Sequence, residues 1–525
     1  MIKRFLSAAL VLALAGSLWY VAATTFDTDV ALTAEDETGP AAEEYADDGS
    51  ITLWYTDEAL GDYLNSVALS YQQDRGVKVN IVLKDGVQFL EGINTNSLAT
   101  EGRTEPMPDL YITSHDNLLR AYLAGLACII TDPENIMNEG MYPVTALNAV
   151  TCYGHYVGYP LYYETNYLLY NKTYMASIAQ NRLEAEADMA EGEEATRELE
   201  EKGEPEKEDK EVNPDEDKKE NESDTDEAGE TEEADPMGEE DAVADPEVLE
   251  RLATMIPATI EDIKTFANNY DAPEAVESVF KWDVTDIFYN YFFVGNYMDV
   301  GGPSGDNAAI FNIYNSQAVE CLRSYQEMNQ FFSIDPKVDY YDRILQDFID
   351  GKMVFTVATT DAIGRIHEAK KNGEFDFEYG VSTLPDISTL LKARGLSVTD
   401  AVAINGYSPK QAEANELATY IVNTKASDLY LRSGKVSCCK SVKFDDAEIE
   451  NVMAEYEKSM PLPKMVEATN FWVQLEIAFT KVWDGQDPDE TLRELSDTMG
   501  AQIEEIRANL PTQESFHAGA GNFVR

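Results

Sequence analysis

The chain is poor in positive charge: 39 Lys and Arg stand against 98 Asp and Glu, for a formal net charge of −59. Phosphate backbones and anionic membrane surfaces are held by clustered cations that displace counterions, so nucleic acid is excluded as a partner. Histidine is scarce, with four scattered copies, and no HExxH helix occurs. A G-x-S-x-G elbow, a phosphate-cradling G-x-x-x-x-G-K loop and a dinucleotide fingerprint are also missing. The five cysteines, Cys128, Cys152, Cys321, Cys438 and Cys439, form no CxxC pair and are too few for a disulfide scaffold. Adjacent Cys438 and Cys439 are too cramped for a tetrahedral metal site, and Cys128 with Cys152 reads either as a bridge or as two buried thiols. No cofactor and no metal is expected. No fixed-period repeat is visible, which sets solenoids and propellers aside.

What is present begins with an export signal. "MIKRFLSAALVLALAGSLWYVAATTF" places Lys3 and Arg4 before an apolar run from Phe5 to Ala23. Residues 1–23 are read as a cleaved signal peptide or as a retained membrane anchor, since the run is also long enough to span a bilayer. Serine stands at Ser17 where a lipoprotein signal needs its lipid-bearing cysteine. The remainder is expected outside the cytoplasm. Residues 24–50 are acidic and short of large apolar side chains, as in a flexible spacer.

Order is expected from Ile51. "ITLWYT" reads as a strand, Tyr63 to Gln73 as a helix and "GVKVNIVLK" as a second strand, a strand–helix–strand opening of an α/β domain. "MPDLYIT" adds a strand and Asn117 to Ala124 a helix, continuing a parallel-sheet pattern. Residues 182–246 then lose aromatic and branched aliphatic residues and become strongly acidic. Such a segment buries too little apolar area to offset chain entropy, and it is expected to be a disordered insertion with some frayed helix at its glutamate-rich start. Beyond it, Thr259 is placed to cap a helix carrying Ile260, Ile263 and Phe266. "KMVFTVATT", "YGVSTLP" and "DAVAINGYS" are further strands, Ala412 to Thr424 a helix, and Asn470 to Leu510 almost wholly helical.

Aromatic residues beside short polar side chains recur where strands end. "Trp54-Tyr55-Thr56-Asp57-Glu58" closes the first strand, and "Thr113-Ser114-His115-Asp116-Asn117" the third. Open α/β sheets bind ligands in a crevice at the carboxyl ends of their strands. Sugars suit this equipment, because their C–H faces stack on rings while their hydroxyls need carboxylate and amide partners. The abundant carboxylates also admit a glycosidase pair, although no pair is singled out.

Several stretches resemble, in order, the carbohydrate-type extracellular solute-binding proteins, the maltose-binding-protein-like receptors of ATP-driven importers. They are "PDLYITSHDN" from Pro108, "GHYVGYPLYYETNYLLYNK" from Gly154, "IPATIEDI" from Ile256, "FIDGKMVFTV" from Phe348, "FEYGVSTLP" from Phe377 and "MPLPKMVEATNFW" from Met460. The resemblance implies a two-lobed α/β fold of the periplasmic-binding-protein type II, with a hinge and a central ligand cleft. It implies a first lobe at residues 51–163 and 381–440, a second at 164–380 and 441–510, and a tail at 511–525.

By the same resemblance Trp54, Thr56 and Glu58 lie on the first ligand loop and Thr113, Asp116 and Asn117 on the second. Tyr163 and Glu164 stand at the lobe crossing, and Trp472 on an aromatic shelf. Trp282, Asp286, Tyr289 and the Thr359–Asp361 loop, with Asp361 the contact, complete the expected set. Thr113 stands where maltodextrin binders present tryptophan, so a smaller or different oligosaccharide fits the pattern. The implied function is a monomeric, non-catalytic receptor that captures a sugar and delivers it to a membrane permease. A surface glycosidase and an acidic surface scaffold are the rivals.

Overall fold

The computed structural model describes residues 48–86, 88–99, 105–201, 243 and 245–509. The expected signal or anchor, most of the spacer, the centre of the acidic insertion and the C-terminal tail lie outside them. Among the described residues no helix is long and apolar enough to cross a membrane.

The fold is α/β around one mixed sheet of nine strands: β1 (Ile51–Tyr55), β2 (Val79–Leu83), β3 (Leu110–Ser114), β4 (Tyr159–Asn171), β5 (Ser278–Lys281), β6 (Met353–Thr359), β7 (Tyr379–Ser382), β8 (Leu396–Ile404) and β9 (Met460–Pro461). Along the sheet they run β2-β1-β3-β8-β4-β6-β5, with β7 paired to β4 and β9 to β8. Every position of β1 is buried, as expected of an apolar strand covered on both faces. It lies parallel to β2 and β3, and the helix Gly61–Arg75 makes the crossover to β2. Gly76, at φ +73°, ends that helix in the left-handed conformation that glycine adopts without steric cost.

The expected parallel pattern breaks at β8, which begins at Leu396 and runs antiparallel to both β3 and β4. The cause is the path of the chain. β7 pairs antiparallel with Leu168–Asn171 of β4, and β8 pairs antiparallel with Tyr159–Thr165 of the same strand. The chain therefore returns along the strand by which it left.

Two hydrophobic cores form. One gathers β1, β3, β8 and the helices around Leu64, Ala418 and Val452; the other gathers Phe280, Trp282, Phe293, Tyr325, Phe479 and Leu492. Strand β4 feeds both, because alternate side chains leave a strand on opposite faces: Tyr167 and Leu169 enter the first core, Leu168 and Tyr170 the second. The helix Ala447–Lys458 sends Ile449, Val452 and Tyr456 into the first core. Ile344, Phe348, Ile363 and Ile366 do the same.

The start of the insertion is ordered helix. Lys172–Glu201 is continuous with the end of β4, and Tyr174, Met175 and Ala179 pack in the core with Val248 and Leu252 of the helix Pro246–Ala253. A buried first turn supplies the nucleus, and the alanine- and glutamate-rich sequence beyond Arg182 propagates it. The cap at Thr259 forms as a full capping box with Asp262. All five cysteines are free thiols, so Cys128 and Cys152 are unbridged.

Glu455, 2% exposed, accepts the Leu384 N–H at 3.0 Å behind the crossing strand. Burial pushes its carboxyl up to about 7, with Lys458 partly opposing. A folded-state value raised above the ordinary 4.5 means the native state holds the proton more tightly than the unfolded chain, so stability falls as pH rises from 4.5 to about 7. Glu455→Gln should match the parent near pH 4 and exceed it near pH 8 by about 3 kcal/mol in urea unfolding, following the cost of ionising a group with that shift.

Candidate ligand site

Glu164 is the single position of the 13-residue strand β4 that is not buried. It stands opposite Val398 of β8, two residues before β4 exchanges that partner for β6 at Asn166. The segment after the helix Asp428–Ser433 turns at Gly434, φ +70°, and then runs beside β4. Tyr163 N–H donates to the Val436 carbonyl at 3.2 Å and Cys438 N–H to the Leu161 carbonyl at 3.1 Å. These bonds fix Lys435 against the strand. Its Nζ lies 2.8 Å from Asp57 Oδ2, 3.3 Å from Glu164 Oε1 and 5.1 Å from the ring centre of Tyr162.

Asp57 follows β1 and caps the short turn Glu58–Leu60 by accepting the Ala59 N–H. Tyr162 also donates its hydroxyl to Asp57 at 3.4 Å. Burial would raise the Asp57 carboxyl, but the Lys435 ammonium outweighs it and holds the group below its ordinary value. Burial likewise opposes the charge on Lys435, yet the bond to Asp57 and the charge of Glu164 push its pKa up.

The adjoining strand ends complete the surface. Thr56 is half-buried and Glu58 exposed. At the end of β3, Ser114 donates its hydroxyl to Asp116, and Asn117 Oδ1 accepts from Arg120 at 2.8 Å. Thr113 is buried opposite Ala401. Asp400 of β8 pairs in register with Ser114 on one side and Tyr162 on the other. Burial first, and then the charge of Glu164, push its carboxyl up to about 7, with Lys435 partly opposing.

A second group lies at the end of β6. Tyr341 stacks on Tyr289 at 4.8 Å, donates to Asp361 Oδ1 at 2.7 Å and accepts from the Thr359 hydroxyl at 2.9 Å. Arg365 stands 2.8 Å from Asp342 and 3.8 Å from Asp361. Asp286 caps the helical turn Ile287–Asn290 through the Phe288 N–H. Trp472 is half-buried, edge-on to Tyr291 at 5.4 Å, and no contact joins it to either group.

Three of the expected contacts lie inside the cores in this structure. Trp54, 2% exposed, belongs to the first core, with Lys84 Nζ 4.1 Å from its ring. Tyr163 is fully buried, its ring flat against Tyr456 at 3.9 Å. Trp282 is fully buried in the second core and donates its Nε1–H to Asn290 at 2.8 Å. Trp54 and Tyr163 sit on strands buried on both faces and Trp282 just beyond β5, and in each place the ring fills core space. Asp57, Tyr162, Asp400 and Lys435 were absent from the expected set. A carboxylate inside an apolar strand, as in "LSVTDAVAI", is a sequence signal for Asp400. Lys435 carries none, because its place depends on pairing with a strand 270 residues away.

This architecture, a mixed sheet that the chain leaves and re-enters, is the fold of the two-lobed periplasmic binding proteins. Solved structures that share it include an extracellular solute-binding protein from Staphylococcus aureus in complex with maltose, at a TM-score of 0.63 and 18% identity over 88% of this chain and 100% of the other. A cyclo/maltodextrin-binding protein complexed with maltotetraose superposes with a TM-score of 0.62 and 17% identity, covering 87% of this chain and 98% of the other. A maltose-binding periplasmic protein from Listeria monocytogenes, bound to maltose, gives 0.61 and 18%, covering 88% and 99%. At these identities the likeness establishes the fold. No known family profile matches the chain, and no curated protein matches it in sequence.

The two ion pairs of Lys435 should differ in strength. Double-mutant cycles on unfolding free energy are expected to give about 1 kcal/mol for Lys435 with Asp57 and less for Lys435 with Glu164, whose longer contact is more exposed to water. Equal couplings would contradict this ranking.

Proposed function

We propose that the protein is an extracytoplasmic sugar-binding receptor, the capture component of an ABC importer, and that it belongs to the carbohydrate-type solute-binding proteins. The observation that carries this reading is the meeting of Asp57, Tyr162, Glu164 and Lys435 at the strand ends beside the crossing strand β4. Carboxylates and an ammonium brought together by fixed backbone pairing offer acceptors and a donor to sugar hydroxyls, with the Tyr162 ring beside them. The superposed proteins are described as bound to maltose or maltotetraose, which favours an oligosaccharide among possible ligands.

On this reading Thr56, Glu58, Asp116, Asn117 and Glu164 contact the ligand from one side, and Tyr289, Tyr341 and Asp361 from the other. Trp472, beside Tyr291, offers a further ring. Binding from both sides favours a closed form, which is the form delivered to a membrane permease. No bond is made or broken, and a monomer suffices.

Calorimetry of the purified protein against a panel of oligosaccharides should show saturable binding, with a fall in radius of gyration by solution scattering. Glu164→Ala should weaken binding about tenfold or more, the effect of losing one charged hydrogen bond. Prolonged incubation should leave the sugar intact, whereas shortened products would transfer the assignment to a glycosidase. Binding without compaction would remove hinge closure, and failure across the panel would remove the sugar.

A further inference from the structure

We propose that Glu455 and Asn166 form a proton-operated latch where β4 passes from one half of the sheet to the other. The protonated carboxyl of Glu455 donates to Asn166 Oδ1 beside Gly395 and holds the crossing closed, and loss of that proton releases it. The proposal rests on the fold and is independent of the sugar-binding reading.

Asn166 is where β4 changes partner. Thr165 is the last residue paired with β8, and Asn166 opens the pairing with β6, opposite Thr359. Its side chain is fully buried. Asn166 Nδ2 donates to the Phe288 carbonyl at 2.6 Å, which fixes the orientation of the amide. The amide oxygen Oδ1 is left enclosed and without a hydrogen-bond donor among the described residues, an unfavourable state for a buried acceptor.

Gly395, the residue before β8, lies against this oxygen. A Cβ at that position would stand 2.9 Å from Asn166 Oδ1 and 3.6 Å from Glu455 Oε1. The two oxygens thus face the same space, which glycine leaves free of a side chain. Glu455 is 2% exposed, and its other oxygen, Oε2, accepts the Leu384 N–H at 3.0 Å. An ionised Glu455 sets one acceptor beside another, whereas a protonated Glu455 carries the donor that Asn166 Oδ1 lacks.

The charges around Glu455 leave the proton in control. Lys458, on the same helix, has its Nζ 3.8 Å from Oε2, but its side chain is 55% exposed and screened by water. From the segment after β7, Asp386 opposes ionisation and is itself paired with Lys392 at 2.7 Å. Arg394, next to Gly395, donates to the carbonyls of Lys458 and Ser459. From β4 comes the neutral amide of Asn166. Burial outweighs Lys458 and raises the carboxyl to about 7, so the proton is held in mildly acidic solution and leaves as pH rises through that value.

The latch joins the two cores. The helix Ala447–Lys458 sends Val452 and Tyr456 into the first, while Phe288, which holds the Asn166 amide, packs against the second. Glu164 precedes Asn166 on the same strand with only Thr165 between them, so the latch sets how firmly that carboxylate is held beside Lys435.

The test is amide hydrogen exchange of the full chain with no ligand added, corrected for the intrinsic effect of pH. The helix Ser316–Phe331, remote in sequence from the latch, serves as the marker of overall stability. Between about pH 6 and about pH 9, protection of β4 around Asn166 should fall about tenfold further than protection of that helix. Glu455→Gln keeps an amide donor throughout, so in this variant the two segments should change by the same factor within about twofold. Asn166→Leu removes the acceptor, and its β4 should already lack the extra protection at the acidic value. A parent in which β4 and the helix fall together shows only a buried acid lowering overall stability, and would overturn the latch. So would an extra pH sensitivity of β4 that persists in Glu455→Gln, or a fully protected β4 in Asn166→Leu. Should Asn166→Leu fail to fold, the parent against Glu455→Gln decides alone. Each of these outcomes leaves the sugar-receptor reading where it stands.

Discussion

Strand β4 is the constraint on which the rest of the structure depends. Twelve of its thirteen positions are buried, so its register is strongly specified: a slip of one residue would turn every side chain to the other face and, from Tyr167 to Tyr170, exchange residues between the two cores. Its first part pairs with β8 and its second with β6 and β7, which fixes where the chain leaves and where it returns. Tyr163 stacked on Tyr456 and the loop bonds from Val436 and Cys438 close the remaining sides. The exception in this apolar strand, Glu164, is held in place by everything that buries its neighbours.

A second lock uses charge in place of apolar area. Lys464 is 3% exposed, and its ammonium donates to the carbonyls of Asn148 at 3.0 Å, Ala149 at 2.9 Å and Ser304. The first two end the short helix Val144–Ala149, where the partial negative charge of the helix dipole favours a cation. Beside it, His115 accepts the Thr399 N–H on Nδ1 at 3.0 Å, so Nε2 carries the proton given to the Leu462 carbonyl at 2.9 Å. Burial, followed by the charge of Lys464, lowers the His115 pKa to about 4 and keeps it neutral in this role. The segment from Leu462 to Met465 is thereby tied to β3, β8 and the glycine turn at 301–305, while Met465 enters the second core.

The site combines these two kinds of support. Its carboxylates come from β4, β8, the end of β1 and the end of β3, while the lysine that balances two of them arrives on a loop. Rigid elements therefore set the negative charges, and one flexible side chain sets how much of that charge is left over. In a molecule with a formal charge of −59, a single ammonium in such a place decides the local balance far more than overall composition does. The second group, Tyr289, Tyr341, Thr359 and Asp361, is built differently: a ring stack is tied by hydroxyls to a carboxylate at a helix start.

Much of the fold was legible in the residues. Alternation and apolar runs located β1, β2, β3, β6 and β7, and Thr259 foretold a helix cap, because these features depend on neighbours within a few residues. Glu164 and Asp116 could be singled out by chemistry and resemblance. Trp54, Tyr163 and Trp282 have the chemistry of ligand platforms, and only packing puts them in the cores. The sequence alone also passed over the antiparallel course of β8, the extent of the helix that runs to Glu201, and Lys435 with Asp400. Periodicity and capping are written in local order along the chain. Whether a ring is covered, which way a strand runs and which carboxylate lacks a counter-charge depend on residues hundreds of positions apart, and only tertiary folding brings those together.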